Sequence, residues 1–443
     1  MRPSRWLVLL ALTPWLARAD VFNTYGYGPR ATAMGGAMTA EANDYTAVFY
    51  NPALLVDRKD VNFGFNFQFY RLVADVKSKD LAKPLDLRNA MQTDGKQAPP
   101  DSIGTSVGLL FPLGGKVKNH LALGLGVYLP TANLLRVNIV SASTPYWYRY
   151  HGNPERLILH LGAGIKIVDW LKIGLGIQAL ADLVGEGANV SVDLFSKQVN
   201  SGDLNAYLGT RVAPVFSLAV TPIPRLRLGV TFKWEMMLKV VIPARVDLEG
   251  IGTLGFTVSG VAHYSPHMLN FGAAFDATPD LTFTLDGEFQ AWSLAPSPYV
   301  GINIDLSGPT LEALGLENAL DVESATQKPG FKDTTGVRAG AEYRVSERFA
   351  ARLGGFARPT PVPKQDTEGT NILDNTAIGL TGGFGFNFPD PLEIFAHPIQ
   401  IDVAGQAQFI LPREAAKATV DSQPGYTYSA NVYGVTAAIR YDF

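Results

Sequence analysis

The feature that most limits what this chain can fold into is a hydrophobic alternation of period two that recurs fourteen times after residue 60. In 61–70 the odd positions are Val61, Phe63, Phe65, Phe67 and Phe69, and the even ones are Asn62, Gly64, Asn66, Gln68 and Tyr70. One apolar face opposite one small or polar face is the pattern of a β-strand. The same pattern fills 102–111, 119–129, 155–168, 171–183, 211–221, 225–240, 267–277, 281–292, 335–345, 349–358, 377–388, 399–411 and 428–443. Each run is long enough to cross a bilayer as a tilted strand. Short connections (113–118, 169–170, 222–224, 278–280, 346–348, 389–398) alternate with long ones (73–101, 130–154, 184–210, 241–266, 293–334, 359–376, 412–427). An even number of antiparallel strands with short turns at one end and long loops at the other predicts a transmembrane β-barrel of fourteen strands. Closure leaves no unpaired edge in lipid. A soluble sandwich also alternates, but it gives no reason for every long loop to fall on one side.

Composition narrows the alternatives. No run of eighteen apolar residues follows residue 16, so helical membrane spans are excluded. Charged residues make up 17% of the chain, below the roughly 25% usual for soluble domains. Net charge is −3 with both signs dispersed, which argues against a nucleic-acid partner. With no cysteine, the chain has no disulfide and no thiolate nucleophile or metal ligand. Neither a metal nor a cofactor is expected. Six scattered histidines form no HExxH motif and no GxSxG occurs, so an enzyme is not expected either.

The N-terminus reads as a secretory leader. Arg2 and Arg5 precede a short apolar run over 6–16 and the small-residue site Ala17-Arg18-Ala19. Cleavage near Ala19 would start the mature chain at Asp20. The stretch 28–55 fits neither strand nor leader. It is rich in Gly and Ala, lacks alternation, and is too apolar for a solvated tail. Such a segment needs a surrounding wall. The chain therefore divides into a leader (1–19), a hatch plugging the barrel (20–60) and the barrel itself (61–443).

Several residues of the hatch carry a family resemblance. The run Ala33-Met34-Gly35-Gly36-Ala37, then Ala40, Asn43-Asp44 and AVFYNPALL over 47–55, resembles the hatch of the FadL/TodX outer-membrane transporters of long-chain fatty acids and other hydrophobic compounds. Asn270-Phe271-Gly272-Ala273, Glu288-Phe289, 337–344 and 352–356 resemble strand segments of that family. The final strand, alternating from Tyr433 to a terminal Phe443, resembles the signal read by the barrel-assembly machinery. The resemblance implies an outer-membrane location in a Gram-negative bacterium, in contact with lipid and lipopolysaccharide, and a monomer. It implies capture of a hydrophobic ligand at extracellular loops, binding in the lumen, a shift of the hatch, and sideways exit at a kink in the third strand. Gly35, Gly36, Asn51, Pro52 and Ala53 are then the hatch and gating residues, and Gly124 and Gly126 the kink candidates. A second reading of Gly124 and Gly126 is that they leave room for the hatch; the two are compatible.

A carboxylate headgroup in a low-dielectric lumen needs a cation. Inward-facing cations include Arg156, His160 and Lys166 on strand four, and Lys172, Arg227, Lys233, Arg338, Arg344, Arg352 and Arg358 elsewhere. Arg156, His160 and Lys166 are taken as ligand candidates. A structural ion-pair network with inward acids such as Asp286, Glu288, Glu342 and Asp402 is the competing reading. The run Pro145-Tyr146-Trp147-Tyr148-Arg149-Tyr150-His151 reads either as an aromatic capture surface, with Trp147, Tyr148 and Arg149 as ligand candidates, or as an interfacial girdle. Residues 310–320 suggest a short lid helix. The function expected is passive uptake of long-chain fatty acids or similar hydrophobic molecules. The rivals are an aromatic-hydrocarbon channel on the same fold, a non-transporting structural barrel and an outer-membrane lipase.

Overall fold

In the computed structural model fourteen strands pair in sequence order into one closed antiparallel barrel. They are β1 Asn62–Ser78, β2 Ser102–Pro112, β3 Leu121–Pro130, β4 Ile158–Val168, β5 Leu171–Asp193, β6 Leu204–Ile223, β7 Leu226–Lys233, β8 Met268–Thr278, β9 Leu281–Gln290, β10 Thr334–Ser346, β11 Phe349–Arg358, β12 Ala377–Phe388, β13 Ile399–Ala415 and β14 Tyr426–Asp442. Each pairs with its neighbours, and β1 closes the ring on β14, with Phe65 opposite Ile439. The structure describes residues 21–79, 98–131, 142, 145–150, 156–193, 198–200, 204–248, 252–313, 322–323, 328–365, 370–389, 397–417 and 424–443. The leader over 1–19 lies outside them, as do His151 and residues 314–320.

The alternation sorts side chains as the pattern requires. Phe65, Phe67, Leu175, Leu285, Leu353 and Ile439 point outward and are exposed in the isolated chain, where lipid would cover them. Asn62, Asn66 and Gln68, on the opposite face of β1, are buried in the lumen. All fourteen predicted strands are present, but two of the predicted long loops are largely strand. β5 and β6 extend past their predicted ends, and the chain after β7 forms a hairpin, Met236–Leu248 with Gly252–Ser265, to which Gly301–Ser307 adds a third strand. Residues such as Val240, Val241, Val246 and Val258 keep the β-branched pattern going beyond the membrane.

The predicted single strand over 225–240 is interrupted at Trp234-Glu235. The Glu235 N–H donates to the His267 Nδ1 at 3.2 Å instead of to a ladder carbonyl. The Trp234 N–H reaches the Pro214 carbonyl at 3.0 Å, and proline has no N–H to return. Ladder pairing of β6 with β7 stops at Val215 opposite Lys233.

Inside the ring lie three short helices, α1 Val21–Tyr25, α2 Pro29–Ala33 and α3 Ala47–Tyr50, and a 3-10 turn, Pro52–Asp57. Nearly every residue from 21 to 56 is buried. None of these helices is long enough to be stable alone in water; the wall supplies their burial. Wall glycines admit them. A Cβ on Gly64 or Gly108 would sit 2.0 Å from a carbon of the Tyr45 ring, which is clamped between the two strands.

Candidate functional site

The hatch is held by a few specific contacts. Asn51 has extended backbone and caps the 3-10 turn: its Oδ1 accepts the Ala53 N–H at 3.0 Å. Its Nδ2 donates to the carbonyls of Thr39 (2.7 Å) and Leu218 on β6 (3.1 Å). Pro52 opens the turn, where a missing N–H costs nothing. The Ala53 N–H also reaches the Ser217 Oγ on β6 at 3.0 Å. Gly35 and Gly36 have φ of +66° and +77°, and a Cβ on Gly35 would lie 2.6 Å from the Gly355 carbonyl oxygen on β11. The two glycines turn the chain at the wall itself.

Below the hatch, at the end with the short turns, the inward cations are largely committed to acids. Arg30 bridges Glu41 of the hatch (2.9 Å) and Glu342 of β10 (2.9 Å). Arg227 of β7 holds Glu41 at 2.6 Å, and Arg440 of β14 holds Asp44 at 3.1 Å. Lys172 pairs with Asp57, and Arg58 with Asp442. Arg352 bridges Glu342 and Asp402. The network reading of these cations is the one their geometry supports. Such pairs add little net stability, but removing one partner strands a buried charge at a cost of about 3–5 kcal/mol. A charged recess of about 530 Å³, lined by Arg30, Glu41, Arg344, Arg352 and Asp402 among others, opens at this end.

Midway up the lumen the lining turns aromatic. A cavity of about 20 Å³ lies between α1, α3 and strands β7–β10, with Phe22, Phe49 and Tyr50 on one side and Lys233, Asn270 and Arg338 on the other. The Lys233 Nζ sits 3.2 Å from the centroid of Phe49. Arg338 pairs with Glu288 at 3.2 Å. The Asn270 Oδ1 and one carboxylate oxygen of Asp286 are buried with no hydrogen-bond partner among the described residues. This volume holds about one water.

The predicted ligand residues are dispersed. His160 reaches the aromatic cluster, with its ring centroid 5.3 Å from Phe49 and 5.6 Å from Phe22. Arg156 is buried (1% exposed) at a bridge residue just outside β4. Lys166 is at the short-turn end, bonded to Asp169 at 2.7 Å. Six residues of strand separate it from His160, about 20 Å, so the two do not share a site.

Nor is the aromatic run a girdle or an exposed capture surface. Tyr146 and Trp147 are 2% and 1% exposed, and they pair in parallel with Ile372-Leu373. Tyr148 packs on Phe331 at 5.0 Å. Arg149 bonds Asp374 at 3.3 Å and lies 5.1 Å from the Trp292 ring. Burial pushes the Arg149 guanidinium below its ordinary pKa, opposed by the Asp374 carboxylate. Tyr150 meets Tyr25 of the hatch, with ring centroids 6.3 Å apart, so the run packs inward. Of the expected lid helix, Pro309–Ala313 is present and lies against the strands Gly252–Ser265 and Gly301–Ser307.

Gly124 and Gly126 lie in an unbroken strand. β3 pairs with β2 and β4 across both positions without a register shift. A Cβ on Gly124 would meet Leu55 and Val48, and one on Gly126 the Tyr27 hydroxyl at 2.7 Å. They make room for the hatch. The sequence reading missed Phe22 as a lining residue, because it lies ahead of the recognised motif, and passed over Lys233 and Arg338 within its longer list of cations.

A family model described as outer membrane protein transport protein (OMPP1/FadL/TodX) matches residues 8–443. No curated protein matches the sequence. Among solved structures, a FadL homologue of Pseudomonas aeruginosa is 14% identical with a TM-score of 0.59, covering 96% of this chain and 99% of that one. The toluene transporter TbuX of Ralstonia pickettii is 17% identical with a TM-score of 0.54, covering 96% and 100%. The toluene transporter TodX of P. putida is 13% identical with a TM-score of 0.56, covering 95% and 99%. At these identities the likeness is one of fold, and it is the match over residues 8–443 that places the chain in the OMPP1/FadL/TodX family of outer-membrane transport proteins.

Proposed function

We propose that this protein mediates passive uptake of long-chain fatty acids or similar amphipathic hydrophobic molecules across the outer membrane. The observation that carries this reading is the pairing of an aromatic wall (Phe22, Phe49, Tyr50) with Lys233 in a cavity beside the hatch. An acyl chain gains about 0.8 kcal/mol for each buried CH₂, and Lys233 is placed to meet its carboxylate. Sites for ligands of this size run to about 300–1,000 Å³. The cavity of about 20 Å³ therefore belongs to a closed state, and the hatch has to shift for a ligand to enter or leave. The aromatic-hydrocarbon reading has its own support in the ring cluster of Phe22, Tyr27, Phe49 and Tyr128, which needs no cation.

Calorimetry on purified protein separates the two. Saturable oleate binding is expected, weakened about tenfold by Lys233→Ala, in line with loss of a charge-assisted bond of about 1.5 kcal/mol. Toluene binding without oleate binding, or oleate binding indifferent to Lys233→Ala, contradicts the fatty-acid reading.

A further inference from the structure

One buried cation of the lumen wall lacks an acid. Arg30, Arg227, Arg338, Arg352 and Arg440 each hold a carboxylate. Arg358, the last residue of β11 and only 5% exposed, pairs with none among the described residues. Asp374 does not serve it: that carboxylate takes the Arg149 Nε at 3.3 Å and the Thr360 hydroxyl at 2.5 Å. Arg149 also donates to the carbonyl of Pro359, the residue after Arg358, at 3.2 Å, which brings a second guanidinium toward the same place. A buried charge without a counter-ion is costly. Proteins carry such a cost chiefly at sites that bind or react.

The partners of Arg358 are neutral. Its Nη2 donates to the Tyr150 hydroxyl at 2.6 Å and to the Gln408 Oε1 at 3.1 Å, and its Nη1 reaches the Thr24 carbonyl of α1 only at 3.4 Å. Three of its five N–H donors are thus used, one of them weakly. The Tyr150 and Phe356 rings each lie 5.8 Å from the guanidinium carbon. Tyr25, 6.3 Å from Tyr150, stacks on Tyr70 at 4.2 Å. A guanidinium fork receives a carboxylate through two parallel bonds, and the rings give an attached alkyl chain an apolar bed. Arg358 also has a definite place along the lumen. Phe356 stands opposite Arg338 in the ladder of β10 with β11, and the Arg338 guanidinium carbon is 5.5 Å from the same Phe356 ring. Arg338 lines the aromatic cavity together with Lys233. Arg358 is two residues further along β11, about 7 Å toward the long-loop end.

We propose that Arg358 is a headgroup site for a long-chain carboxylate, one step outward of the Lys233–Phe49 cavity, and that it makes this barrel select anionic amphipaths over neutral hydrocarbons. The carboxylate takes the fork from the Thr24 carbonyl and the Gln408 oxygen, neutral acceptors that a charged oxygen outcompetes. Its tail rests on the rings of Tyr25, Tyr70 and Tyr150. Arg338 and Lys233 continue the line of cations into the cavity. The proposal rests on the transport reading above and adds the residue that recognises the ligand's charge before the cavity is reached.

The site is tested by comparing a charged ligand with its neutral counterpart. Purified protein in a neutral maltoside detergent is titrated by calorimetry with oleate and with oleyl alcohol, which has the same chain and no charge. Arg358→Gln removes the guanidinium and breaks no ion pair. The expected result is an oleate affinity lowered about tenfold with the oleyl alcohol affinity unchanged. Arg358→Lys, which keeps the charge but not the fork, serves if the glutamine variant does not fold. It is expected to weaken oleate at least threefold, with the alcohol again unchanged. Equal losses for the two ligands, which a packing role would give, overturn the proposal. Unchanged oleate affinity in either variant also overturns it, and leaves the transport reading standing if Lys233→Ala still weakens oleate. Binding of neither ligand to the unaltered protein overturns both.

Discussion

Asn51 shows how much of the hatch depends on single side chains. It is fully buried and bonds three backbone groups at once: its own 3-10 turn at Ala53, the hatch turn at Thr39 and the wall at Leu218. Asn51→Ala removes the side-chain donor to the Thr39 and Leu218 carbonyls, at about 1–3 kcal/mol for each that stays dry, while the Ala53 N–H keeps the Ser217 Oγ. The expected outcome is a hatch that loses amide hydrogen-exchange protection over residues 47–57 while the barrel strands keep theirs; unchanged protection would show that the wall alone positions it. Such roles were only half legible in the sequence. Asn51-Pro52-Ala53 stood out as a motif, but its contact with Leu218 depends on a register that sequence spacing does not reveal. Trp147 and Arg149 were read as surface residues because aromatic and cationic side chains in a long loop have no periodicity to say which way they face. His160, Arg156 and Lys166 were legible as inward residues from alternation alone. Alternation gives the face of a strand but not the height of the partner that meets it, so Lys166 was grouped with His160, about 20 Å above it.

At the scale of the element, strands were read well because each needs one buried and one lipid-facing side, and a slip of one residue would reverse both. The hairpin at the long-loop end was hidden by the same logic, since an expected loop gave no reason to follow the alternation through 241–265. The ion pairs that fasten the hatch to strands act as a set. Glu342 receives both Arg30 and Arg352, so Glu342→Gln removes the charge that two buried guanidiniums share. We expect this variant to lower the midpoint for hatch release by urea, read by protease cutting within 20–57, with the heat-resistant barrel band unchanged on gels. A barrel that unfolds along with the hatch would contradict the view that the network serves the hatch in particular. β3 offers a second check at this scale. Its ladders run intact through Gly124 and Gly126, so amides at both positions are expected to exchange as slowly as those of the neighbouring β2; rapid exchange there would reinstate an opening in the third strand.

For the whole molecule, the closed ring encloses a buried hatch over residues 21–56 and, beyond it, the buried side chains of Tyr146, Trp147, Tyr148 and Arg149. The uptake proposed for this barrel requires the hatch to move. Ala53 and Ser217 are in direct contact, with the Ala53 nitrogen 3.0 Å from the Ser217 hydroxyl, and the absence of native cysteine leaves Ala53→Cys with Ser217→Cys as the only thiols. Oleate uptake by cells carrying this pair, measured once with the disulfide formed and once after reduction, decides whether it does. Uptake is expected to fall at least tenfold when the hatch is tied to β6 and to recover on reduction. Equal uptake in the two states would mean that the hatch is a permanent plug and that cargo passes without it.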